Sequence, residues 1–347
     1  MNPSTSLAAV PRPVNVPAEP PQPAAWQKEL AAAIRSPVEL CAALGLDPRN
    51  VSALEPGGSD FPLLVPRGFV ARMRRGDPRD PLLLQVLPRA EEAADTPGFV
   101  ADPLGERAAI AAPALVQKYA GRALVLVTGG CAVNCRYCFR REFPYAESGA
   151  TRAGVEAALD AVAADAAIQE VILSGGDPLL VPDDRLSEIV ARAEAIPHVR
   201  RLRIHSRLPI VLPERVTSGL AELLADTRLA CTVVVHANHA AELDAQVAAA
   251  VRRLRESGAI VLNQAVLLAG VNDAERTLTE LSERLVDLGV VPYYLHLLDR
   301  VRGAAHFEVP EKRALDLVRH LRETLPGYAV PRLAREVPGE PAKVWLA

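Results

Sequence analysis

Cys131-Ala-Val-Asn-Cys135-Arg-Tyr-Cys138 follows directly on an apolar, β-branched run, Ala123–Thr128, that reads as a strand. Three of the five cysteines thus fall within eight residues, which is not the spacing of a secreted disulfide framework. The local density argues against three unrelated buried thiols. Structural zinc takes four protein ligands, and no neighbouring Cys or His supplies the fourth; Cys41 and Cys231 are distant in sequence. Three thiolates can instead hold three irons of a [4Fe–4S] cluster and leave the fourth iron for a non-protein ligand.

Downstream, further strand candidates are Glu170–Ser174, Arg201–His205, Ala230–His236, Ile260–Leu268 and Val291–Leu298. Between them lie helical stretches at Gly154–Ala167, Asp183–Ala195, Pro213–Asp226, Ala240–Ser257 and Asp273–Leu288, followed by Pro310–Thr324 and a Pro/Gly-containing tail, 326–347. Six strands alternating with helices imply a parallel α/β sheet with right-handed crossovers, either flat and doubly wound or curved into a partial barrel. Upstream, residues 26–120 read as helical and irregular, with a helix from Trp26 to Leu44 interrupted at Pro37 and capped there by Ser36. Pro56–Gly58 and Pro78–Pro81 mark turns. Residues 1–25 hold seven prolines and read as an extended leader. The expected division is 1–25 leader, 26–120 helical region, 121–300 barrel and 301–347 C-terminal helix and tail.

The composition agrees with an ordinary globular α/β protein. Half of the 347 residues are hydrophobic, which supports a large core, and no stretch of about 18 uncharged apolar residues suggests a membrane span. Lys plus Arg is 39 against 42 Asp plus Glu, a balance that argues against a dedicated nucleic-acid binder. No signal peptide is read, so the expected setting is the reducing cytoplasm. Only four of the basic residues are lysines: Lys28, Lys118, Lys312 and Lys343.

The C-x3-C-x2-C loop after the first strand, with Tyr137 between its last two cysteines, resembles that of the radical S-adenosylmethionine (SAM) superfamily. The resemblance implies a partial (β/α)6 barrel, with Cys131, Cys135 and Cys138 holding a [4Fe–4S] cluster whose open iron takes SAM. Ser174-Gly175-Gly176-Asp177-Pro178 suits a strand-ending turn; it also matches the superfamily's Gly-Gly-acid motif, which implies SAM binding by Gly175, Gly176 and Asp177.

Flanking segments are more specific. Lys118-Tyr119-Ala-Gly-Arg122, Cys138-Phe-Arg140-Arg141, His205-Ser206-Arg207, His236-Ala-Asn238-His239, Asn263-Gln264, Pro292-Tyr-Tyr-Leu-His-Leu-Leu-Asp299 and Glu336-Val-Pro-Gly339-Glu-Pro-Ala-Lys343 occur in this order. The set resembles the lysine 2,3-aminomutase family over about residues 26–347, and most closely its branch that supplies β-lysine for elongation factor P. That resemblance implies a second cofactor, pyridoxal 5′-phosphate (PLP), bound covalently at Lys343 in a C-terminal PLP-binding tail. An amine that can lose its proton suits such a bond, whereas arginine does not. It further implies Lys118, Tyr119 and Arg122 at the PLP phosphate, His236 and Gln264 near SAM, and Arg140 on the substrate carboxylate, where a bidentate guanidinium fits. Asp299 and Glu336 would face the substrate ε-ammonium, with Glu336 replacing the Asp of the free-lysine enzymes. His296 also replaces an aromatic residue, with no role assigned.

The implied reaction is conversion of L-α-lysine to β-lysine by radical migration of the amino group, with SAM as radical source and flavodoxin or ferredoxin as electron donor. The product would pass to elongation factor P through a separate lysyl ligase. A homodimer through the N-terminal helices, no structural zinc, no nucleic acid and no membrane are further expectations. Alternatives are production of free β-lysine, an aminomutase for another amino acid, a radical SAM enzyme lacking PLP, and a non-enzymatic metal-binding module.

Overall fold

A computed structural model describes residues 24–47 and 61–347. The Pro56–Gly58 turn and residues 1–23 of the leader lie outside them. The chain enters through α1 (Ala25–Ala31) and α2 (Pro37–Leu44). Ser36 caps α2 by accepting from the Glu39 amide, with Pro37 in the first turn, so the expected helix is split where proline cannot continue it. Two short helices follow, α3 (Arg67–Val70) and α4 (Pro81–Leu84); Asp80 caps the second through the Leu82 and Leu83 amides. The antiparallel strands β1 (Ile110–Ala112) and β2 (Leu115–Val116) then lead into the sheet.

Six strand–helix units follow: β3 (Arg122–Thr128) and α5 (Arg152–Ala164), β4 (Glu170–Gly175) and α6 (Asp183–Glu194), β5 (Arg201–Ser206) with α7 (Leu208–Val211) and α8 (Ser218–Asp226), β6 (Ala230–Val235) and α9 (Ala245–Glu256), β7 (Ile260–Val266) and α10 (Glu275–Asp287), and β8 (Val291–His296) and α11 (Glu311–Thr324). All six strands pair in sequence order and in parallel. A doubly wound sheet reverses its order at a switch point. Here there is no reversal, which decides for the partial barrel. Alternation along the strands gives the two faces: Leu202 and Ile204 are buried, whereas Arg203 and His205 point the other way, into the lumen. On α9, Val247, Ala250, Val251 and Leu254 form one buried stripe at helical spacing.

The structure corrects the sequence reading at several boundaries. The expected helix from Pro213 begins only after Thr217, whose hydroxyl caps α8. Likewise Asp244 starts α9 after a separate 3-10 turn at Ala240–Glu242. In both cases a side-chain oxygen competes with the helical backbone. The tail also holds a seventh parallel strand, β9 (Arg332–Arg335), on β8, and β10 (Val344–Trp345) turns back antiparallel onto it. One continuous buried cluster runs from Trp26 to Leu333. No helix among the described residues is long and apolar enough to cross a membrane.

Leu333 sits at the middle of β9 with no exposed surface, opposite Leu295 of β8. Its backbone also bonds the Leu346 amide and the Ala347 carbonyl. Leu333→Ala is expected to cost about 2–5 kcal/mol through lost burial and a residual cavity. Urea unfolding should show a lower midpoint at unchanged slope; an unchanged midpoint would show that β9 does not anchor the tail.

Candidate active site

The C-terminal ends of the barrel strands carry the functional loops. After β3, Cys131, Cys135 and Cys138 are free and partly buried on one loop. A turn closes the loop from the Cys138 amide to the Cys135 carbonyl (3.0 Å). Its back is held by the segment before the barrel: the Asn134 and Arg136 amides donate to the carbonyls of Leu64 and Gln85 (2.9 Å each). The Arg136 guanidinium, fully buried, forks onto Glu92, which also accepts from Arg141. Burial alone would push Glu92 up, but the two arginines outweigh it and hold the carboxyl below its usual range. Burial, then neighbouring Cys135, pushes the Cys138 thiol up to about 11; burial also raises the Cys131 thiol well above its ordinary range, helped by Cys138 and Asp177.

Among the described residues, no group of three or more His, Cys, Asp or Glu is arranged to hold a single metal ion. Cys41 is buried in α2, and Cys231 packs on the core-facing side of β6. Three thiols close enough to influence one another, without a fourth protein donor beside them in the loop, are the donor set of a cluster with one open iron.

The loop after β4 meets the cysteine loop backbone to backbone. The Gly176 amide donates to Thr128 O (2.7 Å) and the Asp177 amide to Gly130 O (2.8 Å). A Cβ on Gly176 would stand 2.1 Å from Gly130 O, and Gly175 has φ of 126°. Both positions therefore require glycine. The Asp177 carboxylate is spent on its own chain: Oδ1 accepts from the Leu179 amide (3.1 Å) and Ser206 Oγ (2.7 Å), and Oδ2 accepts from the Arg207 (2.7 Å) and Leu208 (3.2 Å) amides. Burial pushes it up to about 6 against these hydrogen bonds. Asp177 thus ties the β4 loop to the β5 loop and leaves the glycine backbone to face a ligand.

Inside the lumen, His205, His236, Gln264 and His296 come from four successive strand ends. His236 Nε2 lies 2.7 Å from the Gln264 amide nitrogen. Burial pushes His236 and His296 down to about 3, so both imidazoles are neutral at ordinary pH. Beside them runs a chain of alternating charge. Arg140 forks onto Glu106 (2.6 and 2.9 Å) and donates to Ser174 Oγ and Gly175 O (3.0 Å each). Glu106 also pairs with Lys118 (3.1 Å), Lys118 with Glu336, and Glu336 with Lys343. Lys343 Nζ stands 5.9 Å from the centre of the Tyr294 ring, and the Arg122 guanidinium lies 4.8 Å from that of Tyr119. Burial raises the Tyr119 hydroxyl, with Glu336 adding to it. Burial resists ionisation of Glu336, but Lys343 and Lys118 bring it down to about 2. Burial, then the charge of Glu336, pushes Asp299 up to about 7. Asp299 and Glu336 also line a cavity of about 770 Å³ that opens between the loops after β8 and β9.

The candidate site residues thus fall in the cysteine loop, the glycine loop, the lumen and this charge chain, with Asp299 and Tyr119 beside Glu336; Arg122 stands at the start of β3 and reaches the group through Tyr119. Two were missed. Glu106, the carboxylate between Arg140 and Lys118, sits in a 3-10 turn with no motif around it. Arg207, which touches Cys135 Sγ, has only the His205-Ser206-Arg207 tripeptide to mark it in the sequence.

A three-cysteine loop set against a diglycine loop at the mouth of a partial parallel barrel defines a radical SAM enzyme, and residues 125–281 match the Radical SAM superfamily. Among relatives, the L-lysine 2,3-aminomutase of Escherichia coli (strain K12) is 49% identical over 322 residues, covering 92% of this chain and 94% of the relative. Those of Haemophilus influenzae and Buchnera aphidicola are 45% and 42% identical, covering 93% and 92% of this chain and 95% of each relative. The chain belongs to the L-lysine 2,3-aminomutase family of isomerases. Its cofactors are a [4Fe–4S] cluster, SAM and PLP.

Asp299 offers a test of the site's electrostatics by pH. Its native value of about 7 exceeds the unfolded value near 3.8, so the native state binds the extra proton between them. Stability is therefore lost as pH rises through this window. Asp299→Asn removes that loss, so its stability relative to the parent protein should climb from about pH 4 to about pH 7 and then level off. Urea midpoints of both proteins at pH 5 and pH 8 check this; a constant difference would refute the shifted carboxyl.

Proposed function

We propose that this enzyme converts L-α-lysine to β-lysine, and that the β-lysine goes through a separate ligase onto elongation factor P. One observation carries the substrate reading: cations and carboxylates alternate from Arg140 through Glu106, Lys118 and Glu336 to Lys343, with Asp299 beside them, in the lumen below the cysteine loop. A zwitterionic amino acid with a cationic side chain has the complementary charges. Arg140 takes its carboxylate, and Asp299 with Glu336 takes the ε-ammonium. Binding that ammonium favours the ionised form of Asp299, so the carboxylate that is costly when unoccupied becomes paired on loading.

Cys131, Cys135 and Cys138 hold the cluster, and the Gly175–Gly176 backbone with His236 and Gln264 holds SAM. PLP, when bound, spreads unpaired electron density and lets nitrogen move between adjacent carbons. Lys343 carries it, while Lys118, Tyr119 and Arg122 face its phosphate. A lysine can bond a carbonyl carbon only as the neutral amine. Glu336 is paired with Lys343, so loading breaks that pair and frees Glu336 for the substrate. The neutral His236 and His296 add no competing charge. Burial of the lumen limits access of water to the radical chemistry.

The link to elongation factor P is supported by the Tyr293–Asp299 and Gly339–Lys343 segments, which resemble that branch. A reducing cytoplasm with flavodoxin or ferredoxin as one-electron donor suits three free thiols. Production of free β-lysine uses the same site and is the second reading.

The reconstituted protein, held anaerobically with SAM, PLP, dithionite and L-lysine, should yield β-lysine by mass spectrometry. Lys343→Ala and Cys135→Ala should each lose it, by at least 100-fold. SAM cleavage without β-lysine would remove lysine as substrate. Elongation factor P from a deletion strain should lack the mass of the modification; an unchanged mass would favour the free-product reading.

A further inference from the structure

Arg207 is the first residue after β5, and it is almost wholly buried against the cysteine loop. Its Nη1 lies 2.7 Å from Cys135 Sγ. Nη2 donates to Gln85 Oε1 (2.6 Å) and Glu242 Oε2 (3.2 Å). The guanidinium also lies 5.6 Å from the ring centres of Phe69 and Tyr137. Its main-chain amide is held by Asp177. Gln85 and Glu242 are themselves fully buried and bonded to each other (3.1 Å), and Glu242 further accepts from the Asn238 and His239 amides. The fork is therefore fixed on one side, with its other side turned on a single sulfur. Glu242 offsets part of the charge, but it contacts Nη2, whereas the sulfur meets Nη1.

We infer that Arg207 tunes the reduction potential of the cluster through a charge-assisted N–H···S bond to Cys135. This rests on the assignment of Cys135 as a cluster ligand. Reduction delivers one electron from the donor to the cluster, breaks no bond and moves no proton; the guanidinium stays protonated throughout. The added negative charge is delocalised onto the ligand sulfurs. A fixed positive group touching one of them, shielded from water, stabilises the reduced form more than the oxidised form. Such a contact raises the potential, and outer-shell hydrogen bonds are an established means of tuning metal sites. Neutralising it should make electron entry harder.

The test is an EPR-monitored redox titration of the reconstituted holoprotein, with dithionite as reductant and iron and sulfide content measured on every sample. In Arg207→Met and Arg207→Gln, the reduced-to-oxidised ratio at fixed ambient potential should fall about tenfold, a midpoint ~59 mV more negative for one electron. Arg207→Lys, which keeps the charge, should recover most of the difference. Unchanged midpoints in either neutral variant carrying a full cluster, or a lysine variant as low as the methionine variant, would overturn the inference. If one neutral variant fails to fold, the other still decides. Cys135→Ser tests the ligand assignment separately, because it should lose the cluster whatever stands at position 207.

Discussion

Two loops meet at the mouth of the barrel with no side chain between them. The Gly176 Cα passes so close to Gly130 that a Cβ there would overlap the carbonyl oxygen, and two amide–carbonyl bonds hold the approach. Adjacent parallel strands, β3 and β4, bring the loops to that distance. The cysteine loop can therefore be oriented relative to the glycine loop by backbone alone, without relying on flexible side chains. Asp177 extends the arrangement by one strand, since its carboxylate bonds the backbone of the β5 loop. Three strand ends thus form one rigid rim, and the positions of Arg140, Ser174 and Arg207 follow from it.

The rim also needs support from outside the barrel. Buried polar groups from residues 61–106 reach it at three places: Glu92 under Arg136 and Arg141, Gln85 beside Arg207, and Glu106 against Arg140. Removing one partner of the Glu92 or Glu106 pairs leaves an uncompensated buried charge, at a cost of about 3–5 kcal/mol, so these contacts fix where the segment sits. The segment before the barrel is thereby part of the site. The lumen shows the same economy of charge: Arg140, Lys118 and Lys343 alternate with Glu106 and Glu336, while His236 and His296 stay neutral. Three cations and two carboxylates are thus held close to charge balance by their own pairing.

Much of this was legible along the chain. Each barrel strand from β3 to β8 is a short apolar or, in β5, alternating run next to a helix with an apolar stripe, so local periodicity finds them. The three cysteines and the diglycine stand together, and Lys343 is conspicuous because lysine is rare here. By contrast β9 has only four residues, two of them arginine, and carries no pattern until it is paired with β8. Helix starts at Ser218 and Ala245 were missed because their caps act through side-chain oxygens that a hydrophobic pattern ignores.

The sequence by itself determined the strand–helix alternation, the cysteine loop, the glycine loop and the residue types available to the site. These are matters of neighbours, because chemistry and backbone freedom are local properties. Only the tertiary structure decided that Asp177 is committed to backbone amides and the Ser206 hydroxyl, that Glu106 bridges Arg140 and Lys118, and that Arg207 touches a cysteine sulfur. Lys118 and Glu336 are 218 residues apart and meet because β9 pairs with β8 and leads the tail back over the lumen. Hydrogen bonds and ion pairs act over a few ångströms of space, and that distance is set by strand pairing and core packing, which no single segment encodes.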